Sequence, residues 1–246
     1  MIKKIFDKEM LYKSLDKATD IYSEKIRALA EAYGMERDFC SFYMQTGGTV
    51  ISDYYKSAVV ANCGKRAGDR LAELMEFLTC GIFRKAILPY TSFDISNTDA
   101  NISKLYLMKY AGGVLETDET DKEILETDFS ISDIYEIASD GFDIDFNKWY
   151  TDTSHMVRHG ISRLYALGKN ACAVKMFSSS GITYLSYVAT RESERGKGLA
   201  TRLLQSICSS ELKVGSTAYV LCEPKLKGFY EHAGFVFEDE AAEITI

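Results

Sequence analysis

The sequence lacks several features that mark particular classes of protein. No apolar run approaches the roughly 18 to 20 residues that a helix needs to cross a bilayer. The six cysteines form no C-x-x-C pair and have no metal-ligand spacing, so we interpret them as buried small apolar residues and expect no metal. A disulfide scaffold and a membrane-spanning protein are both disfavoured.

Charge and composition narrow the class of protein further. A net charge of −7 without a long basic run argues against nucleic acid as the main partner, and an acidic surface would attract a cationic substrate such as an amine. Hydrophobic residues at 46% and aromatic residues at 12% indicate a globular protein. Because residues 1–9 carry positive charge with no apolar segment behind them, we expect no signal peptide and a cytoplasmic location. We expect a monomer or homodimer.

The first half of the chain mixes helical and strand periodicities, which predicts an α/β order. We expect helices at 3–34 and 69–83, strands at 39–45, 49–55, 56–62, 85–88 and 105–110, and a polar, turn-like region at 92–104.

Residues 116–128 form the sharpest change in composition, being acidic and rich in threonine. Such a segment suits a solvated linker, so we predict a domain boundary there, with domains 1–125 and 126–246. A calcium site in this segment is a weaker interpretation, because the spacing matches no calcium loop and the required glycine is missing.

The second half has clearer periodicity. We expect helices at 130–139, 146–160, from 199 and at 225–232, and strands at 161–167, 171–177, 182–190, 216–222 and from 235. His155 and His159 stand four apart, as in some zinc sites, but without the H-E-x-x-H pattern a structural or substrate-lining role is the better interpretation.

The stretch from Thr190 to Leu204 connects a predicted strand to an amphipathic helix through a basic turn that contains glycine. Gly196 and Gly198 let the backbone approach a ligand closely and adopt conformations closed to other residues. Free N–H groups at the helix N-terminus would favour an anion, and Arg195 and Lys197 would add positive charge. A solvated basic loop that caps the helix is an equally open interpretation of these residues alone.

Two motifs together resemble the GNAT family of N-acetyltransferases. Arg195-Gly-Lys-Gly198-Leu-Ala200 is similar to the family's Gln/Arg-x-x-Gly-x-Gly/Ala acetyl-CoA loop, and Tyr230-Glu-His-Ala-Gly234-Phe235 is similar to its terminal signature. The resemblance covers residues 146–237. It implies an α/β (α+β) fold of the acyl-CoA N-acyltransferase type, with a mixed, mostly antiparallel sheet flanked by helices. It also suggests two related halves, of which the N-terminal one is degenerate.

The resemblance implies acetyl-CoA as co-substrate and an amine as acceptor. The pantetheine arm would lie along the backbone of one strand end and the pyrophosphate against the following turn. The cofactor-binding residues implied are Val188, Ala189, Thr190, Arg195, Gly196, Lys197, Gly198, Leu199, Ala200 and Thr201.

Catalytic roles are implied by position in the family pattern. Tyr230 matches a tyrosine near the thiol sulfur that acts as general acid, with packing beneath the cofactor as the alternative. Glu223 stands where the family often has an asparagine that contacts the cofactor. The glutamate either weakens that contact or supplies a carboxylate that would serve as base, with Asp152, His155 and Glu240 as rivals. We therefore expect an N-acetyltransferase; the alternative is a non-catalytic acyl-CoA-binding sensor or interaction module.

Overall fold

The computed structural model describes residues 1–16, 18–64, 70–90, 93, 101–116, 119–126 and 128–246, which form two compact units. The N-terminal unit contains Met1–Leu107, Cys222–Pro224 and Glu238–Ile246, and the C-terminal unit contains Met108–Leu221 and Lys225–Phe237. The division into domains 1–125 and 126–246 stays a prediction. Among the described residues, no helix has the length and apolar character that a membrane span requires.

The N-terminal unit combines three helices with a sheet. Its elements are β1 (Ile2–Ile5), α1 (Lys8–Leu15), α2 (Ile21–Tyr33), β2 (Cys40–Gln45), β3 (Thr49–Tyr54), β4 (Ser57–Asn62), α3 (Leu71–Thr79) and β5 (Lys85–Pro89). Helix α2 begins where the Asp20 carboxylate accepts the N–H groups of Tyr22 and Ser23, a capping box that satisfies donors the helix leaves open.

Pairing in the N-terminal unit is antiparallel from β1 through β4 and parallel between β4 and β5. On the other side of β5 lies the end of a later strand, β11 (Phe235–Thr245), antiparallel to it over Ala241–Thr245. The core of this unit contains Leu74, Leu78, Phe83, Leu88 and Ile244, all almost fully buried.

The C-terminal unit has strands in a meander and helices on both faces. Its elements are β6 (Asn101–Tyr110, which begins in the N-terminal unit), α4 (Glu119–Glu126), α5 (Ile131–Ala138), α6 (Phe146–Arg158), β7 (Arg163–Leu167), β8 (Ala171–Ser179), β9 (Ile182–Thr190), α7 (Leu199–Lys213), β10 (Thr217–Cys222) and α8 (Lys227–His232). Strands β7, β8 and β9 pair antiparallel, and β9 pairs parallel with β10.

The same succession occurs in both units. In the N-terminal unit β2, β3 and β4 form two antiparallel pairs, α3 follows, and β5 pairs parallel with β4. In the C-terminal unit β7, β8, β9, α7 and β10 repeat that order and those strand directions. The mixed sheet and the two related halves expected from the sequence are therefore confirmed as topology.

Three expectations about local structure were wrong. The helical pattern assigned from residue 3 begins later, because Ile2–Ile5 is strand β1, paired with Phe42–Gln45. Residues 119–126 of the predicted linker form helix α4, which packs against α7 and β7 with Ile124 fully buried. Strand β6 begins at Asn101, inside the predicted polar turn 92–104, whose residues 92 and 94–100 lie outside the described part.

The hairpin between β3 and β4 offers a stabilising substitution. Its turn residues Tyr55 and Lys56 have φ of 49° and 65°, the left-handed conformation in which a side chain costs about 1–2 kcal/mol. The corresponding turn between β8 and β9 has Gly181 at the second position. We expect Lys56→Gly to raise the free energy of unfolding by about 0.5–1 kcal/mol, measured by urea denaturation.

Gly181→Lys is the reciprocal variant, and it should lower the free energy of unfolding by a similar amount. Destabilisation by Lys56→Gly would show that the lysine side chain contributes more than its backbone conformation costs.

Candidate active site

The C-terminal unit contains an opening between two parallel strands. Strands β9 and β10 are paired only from Ile182 to Tyr184, opposite Thr217 to Tyr219. Strand β9 nevertheless continues to Thr190, and β10 continues beyond Tyr219. Past Tyr184 the backbone edge of β9 that faces β10 is therefore available to another extended chain, as an exposed strand edge is in β-strand addition.

A bulge lies in the separated part of β9. Cys172 pairs with Ala189 and Val174 with Ser186, so two residues of β9 oppose one residue of β8. Tyr187, in the bulge, has a φ of 49°, which is an outlier for a bulky residue. The Cys172 thiol donates to the Tyr187 carbonyl oxygen at 3.4 Å, which fixes the orientation of that peptide.

The predicted pantetheine residues begin in this bulge, with Val188. Ala189 is buried, and Val188 and Thr190 are half-buried in the last residues of β9. The turn that follows contains Glu192–Glu194 as a short 3-10 helix and ends where α7 begins at Leu199. The structure thus brings the predicted strand end and the predicted anion turn together at one end of β9.

The turn presents backbone N–H groups to solvent. Gly196 and Gly198 have φ of 79° and 76°, and a Cβ on either would meet no protein atom within 4 Å. Gly198 is the N-cap of α7 and supplies no side-chain acceptor, so the first-turn N–H groups of Leu199, Ala200 and Thr201 are not capped by it. At the positive end of a 15-residue helix, these groups can bind an anion.

The two basic side chains of the turn already have protein partners. The Arg195 guanidinium donates to the carbonyl oxygens of Asp140 at 2.6 Å and Thr190 at 3.4 Å. The Lys197 ammonium pairs with Glu194 at 2.9 Å. Both charges were expected to serve an anion; Arg195 instead anchors the turn to Asp140 and Thr190, whereas Lys197 makes an exposed ion pair.

Loop 139–145, between α5 and α6, is held against β9 by the same turn. The Asp140 carboxylate accepts the Glu192 N–H at 3.1 Å, and Arg191 donates to the Glu136 carboxylate and carbonyl oxygen at 3.0 and 2.9 Å. A Cβ on Gly141 would lie 3.5 Å from the Ala189 side chain. Sequence reasoning missed Glu136 and Asp140, because these contacts join residues more than fifty positions apart.

Tyr230 lies on α8 and is buried in a group of aromatic rings. Its ring centroid is 4.9 Å from that of Phe229 and 5.6 Å from that of Phe235, in edge-to-face arrangements. Gly234, in the same signature, has a φ of 97°, and its carbonyl oxygen accepts the N–H groups of Ala111 and Gly112. Glycine is required there, since a Cβ would come within 3.0 Å of the Tyr110 ring.

The candidate bases are spread over both units. Glu223 is exposed in a segment of the N-terminal unit, and there Glu240 pairs with Lys104 at 2.9 Å, which raises the pKa of that lysine. Asp152 and His155 lie on α6 in the C-terminal unit. Burial raises the pKa of Tyr187, and the charge of Asp152 raises it further, so this carboxylate acts on the phenol at the bulge.

Cysteine and histidine side chains form no metal centre in the described part of the chain. The His155 and His159 rings lie with centroids 4.2 Å apart and planes inclined by 43°. Burial raises the pKa of Cys40 and Cys172 to about 12 each, as expected for inert thiols. Cys80, by contrast, is exposed, so the expectation of burial was wrong for this residue.

Comparison with proteins of known structure identifies the fold. No protein-family model and no curated protein matches the sequence. Among solved structures, an acetyltransferase of the GNAT family from Colwellia psychrerythraea has a TM-score of 0.60 at 10% identity, over 100% of this chain and 99% of that one. A GCN5-related N-acetyltransferase from Kribbella flavida has a TM-score of 0.57 at 16% identity, over 93% of this chain and 96% of that one.

A tandem GNAT protein from the clavulanic acid biosynthesis pathway has a TM-score of 0.58 at 9% identity, over 100% of this chain and 98% of that one. These likenesses extend over both units of the chain. The protein therefore has the GNAT acyltransferase fold, as the resemblance of its two motifs implied.

Proposed function

We propose that the protein is an acetyl-CoA-dependent N-acetyltransferase that moves an acetyl group to an amine. One observation carries this proposal: two parallel strands separate after three residue pairs, and the separated strand ends in a glycine turn at the open N-terminus of α7. That arrangement offers an extended backbone for a pantetheine arm and N–H groups for a pyrophosphate. The GNAT fold supports the proposal.

The residues present fit acetyl-CoA. The side chains absent at Gly196 and Gly198 leave open space beside the turn, and the N–H groups of Leu199, Ala200 and Thr201 would bind the pyrophosphate. The backbone of Val188, Ala189 and Thr190 would hold the pantetheine arm. Although Arg195 and Lys197 are bonded to protein groups, their positive charges would still attract the pyrophosphate. When bound, acetyl-CoA supplies an acetyl group activated as a thioester.

The reaction requires a neutral amine, because a protonated amine has no lone pair. We propose that Glu223 removes the amine proton, with Asp152, His155 and Glu240 as rivals. The amine nitrogen would attack the acetyl carbon and form the C–N bond, and the carbonyl oxygen would become an oxyanion that a main-chain N–H near the end of β9 stabilises. The oxyanion would then collapse with cleavage of the C–S bond, and Tyr230 would give its hydroxyl proton to the departing thiolate.

We also propose that residues 1–125 form a degenerate acetyltransferase-like domain and that 126–246 form the catalytic one. The repeated strand and helix order supports this division into related halves. A cytoplasmic enzyme that acts as a monomer or homodimer on a small-molecule or peptide amine, without nucleic acid or a membrane, remains our expectation.

Tyr230→Phe tests the chemistry. We expect the variant to lower kcat about 100-fold or more while the Kd for acetyl-CoA changes by less than about threefold, because only the proton donor is lost. Release of CoA across a panel of amines measures turnover, and calorimetry measures the Kd. Phe229→Leu, which changes the neighbouring ring, serves as the packing control.

An unchanged kcat in Tyr230→Phe would leave the tyrosine only a packing role. A wild-type protein that binds acetyl-CoA but releases no CoA with any amine would favour the acyl-CoA sensor. Absence of both binding and thermal stabilisation by acetyl-CoA would overturn the proposed function.

A further inference from the structure

Three aromatic side chains form a continuous wall in the C-terminal unit, called here the aromatic wall. It consists of Phe142 in loop 139–145, Tyr187 in the bulge of β9 and Trp149 on α6. The Tyr187 ring centroid lies 5.4 Å from that of Phe142 and 5.7 Å from that of Trp149, both nearly edge to face. Trp149 is buried whereas 38% of Phe142 is exposed, so the wall extends from the core to solvent.

The wall stands beside the opening in the sheet. Tyr187 belongs to the part of β9 that has separated from β10, and it directly precedes the residues proposed to hold the thioester arm. Its left-handed backbone conformation costs about 1–3 kcal/mol and persists only where the surroundings impose it. Packing against Phe142 and Trp149 and the bond from Cys172 supply that restraint.

Loop 139–145 is held firmly, so the exposed face of the wall is formed in advance. Asp140 is bonded to Arg195 and Glu192, and Gly141 lies against Ala189. Phe142 therefore keeps its position over Tyr187 without a ligand. Because the loop is already ordered, binding of a ligand to this apolar surface does not cost the conformational entropy of ordering it.

One carboxylate acts on the wall directly. Residues 139–158 contain four aspartates, but Asp140 lies 4.0 Å from the Arg191 guanidinium and Asp145 caps α6 by accepting the Lys148 N–H. The Asp152 carboxylate, by contrast, acts on the Tyr187 hydroxyl and raises the pKa of that phenol. A cationic amine is favoured there by Asp152 and by the faces of the aromatic rings.

We infer that the amine acceptor, if the protein has the proposed function, is an arylalkylamine or a closely similar amine with a flat apolar body. The apolar body would lie on Phe142 and Tyr187, and the amine would lie on the side of Asp152. An amino sugar would place hydroxyl groups against the rings without partners, and an acidic amine would meet repulsion from Asp152.

The first experiment compares kcat/KM for 2-phenylethylamine, ethylamine, glucosamine and glutamate by release of CoA. We expect 2-phenylethylamine to exceed each of the others by about tenfold or more, since ethylamine lacks the ring, glucosamine the apolar body and glutamate the net positive charge. Equal or higher values for glucosamine or ethylamine would overturn the inference and leave the proposed function standing. No turnover with any amine would overturn both.

The second experiment tests whether the preference for an aromatic amine depends on Phe142. Phe142→Ala should raise KM for 2-phenylethylamine about fivefold or more and leave KM for ethylamine unchanged. The Kd for acetyl-CoA should also stay unchanged, because Trp149 and Cys172 still restrain Tyr187. Phe6→Ala, which removes an exposed phenylalanine of the N-terminal unit, is the matched control and should change none of these values. An equal loss for both amines in Phe142→Ala would assign the residue a purely structural role and overturn the inference.

Discussion

Replacing Gly198 by valine should weaken acetyl-CoA binding by about 100-fold or more. The residue begins α7 with a φ of 76°, and a side chain there would enter the open space beside the turn. Loss of two charge-assisted hydrogen bonds from backbone N–H groups to phosphate, at about 1.5–3 kcal/mol each, gives an effect of this size. Calorimetric titration with acetyl-CoA measures it.

Gly215→Val is a matched control at the other end of the same helix. Gly215 has a φ of 79°, is exposed, and a Cβ there would also meet no protein atom within 4 Å. Both variants should lose about 1–3 kcal/mol of stability through backbone strain, but only Gly198→Val should lose binding. Equal Kd values for the two variants would place the pyrophosphate elsewhere.

Replacing Glu211 by alanine should destabilise the protein by about 3–5 kcal/mol. This carboxylate, on the last turns of α7, is only 5% exposed. It accepts from Lys175 at 2.8 Å and from Thr183 at 2.7 Å, and Thr183 is 2.8 Å from Ser216. Removal leaves the Lys175 ammonium, whose side chain is only 18% exposed, beside hydroxyl groups that cannot neutralise it. At about 2–4 °C per kcal/mol, Tm should fall by about 10 °C.

Two further variants separate charge from packing in this group. Glu231→Ala breaks an exposed pair with Lys227 and should change Tm by about 2 °C or less. Lys175→Met combined with Glu211→Leu removes both charges and should recover most of the stability. A double variant as unstable as Glu211→Ala would show that the hydroxyl network, rather than the unpaired ammonium, determines the loss.

Much of the secondary structure of the C-terminal unit was predictable, because the patterns that indicate it lie within short stretches of sequence. The strands near 163–167, 171–179 and 182–190 alternate along the sequence, and α7 has apolar residues at helical spacing. Strand β1 was not predictable, since its four residues gain strand structure only by pairing with β2, about forty positions later. Helix α4 was missed because its acidic composition conceals Ile124, whose burial depends on α7 and β7.

In the candidate site, too, the features carried by neighbouring residues were predictable, and those that depend on distant contacts were not. The glycine turn and the strand before it were identified from residues adjacent in sequence. The role of Arg195 as an anchor depends on the Asp140 carbonyl oxygen, and the bulge depends on the backbone conformation of Tyr187. A tyrosine carries no sequence signal for a positive φ, so the aromatic wall could be found only from the structure.

The order in which the strands are joined has a consequence for biosynthesis. On the side away from β4, the neighbour of β5 is the stretch Ala241–Thr245, which is translated long after β5 itself. While the intervening residues are being made, the backbone edge of β5 that this stretch will cover is unpaired and open to other extended chains.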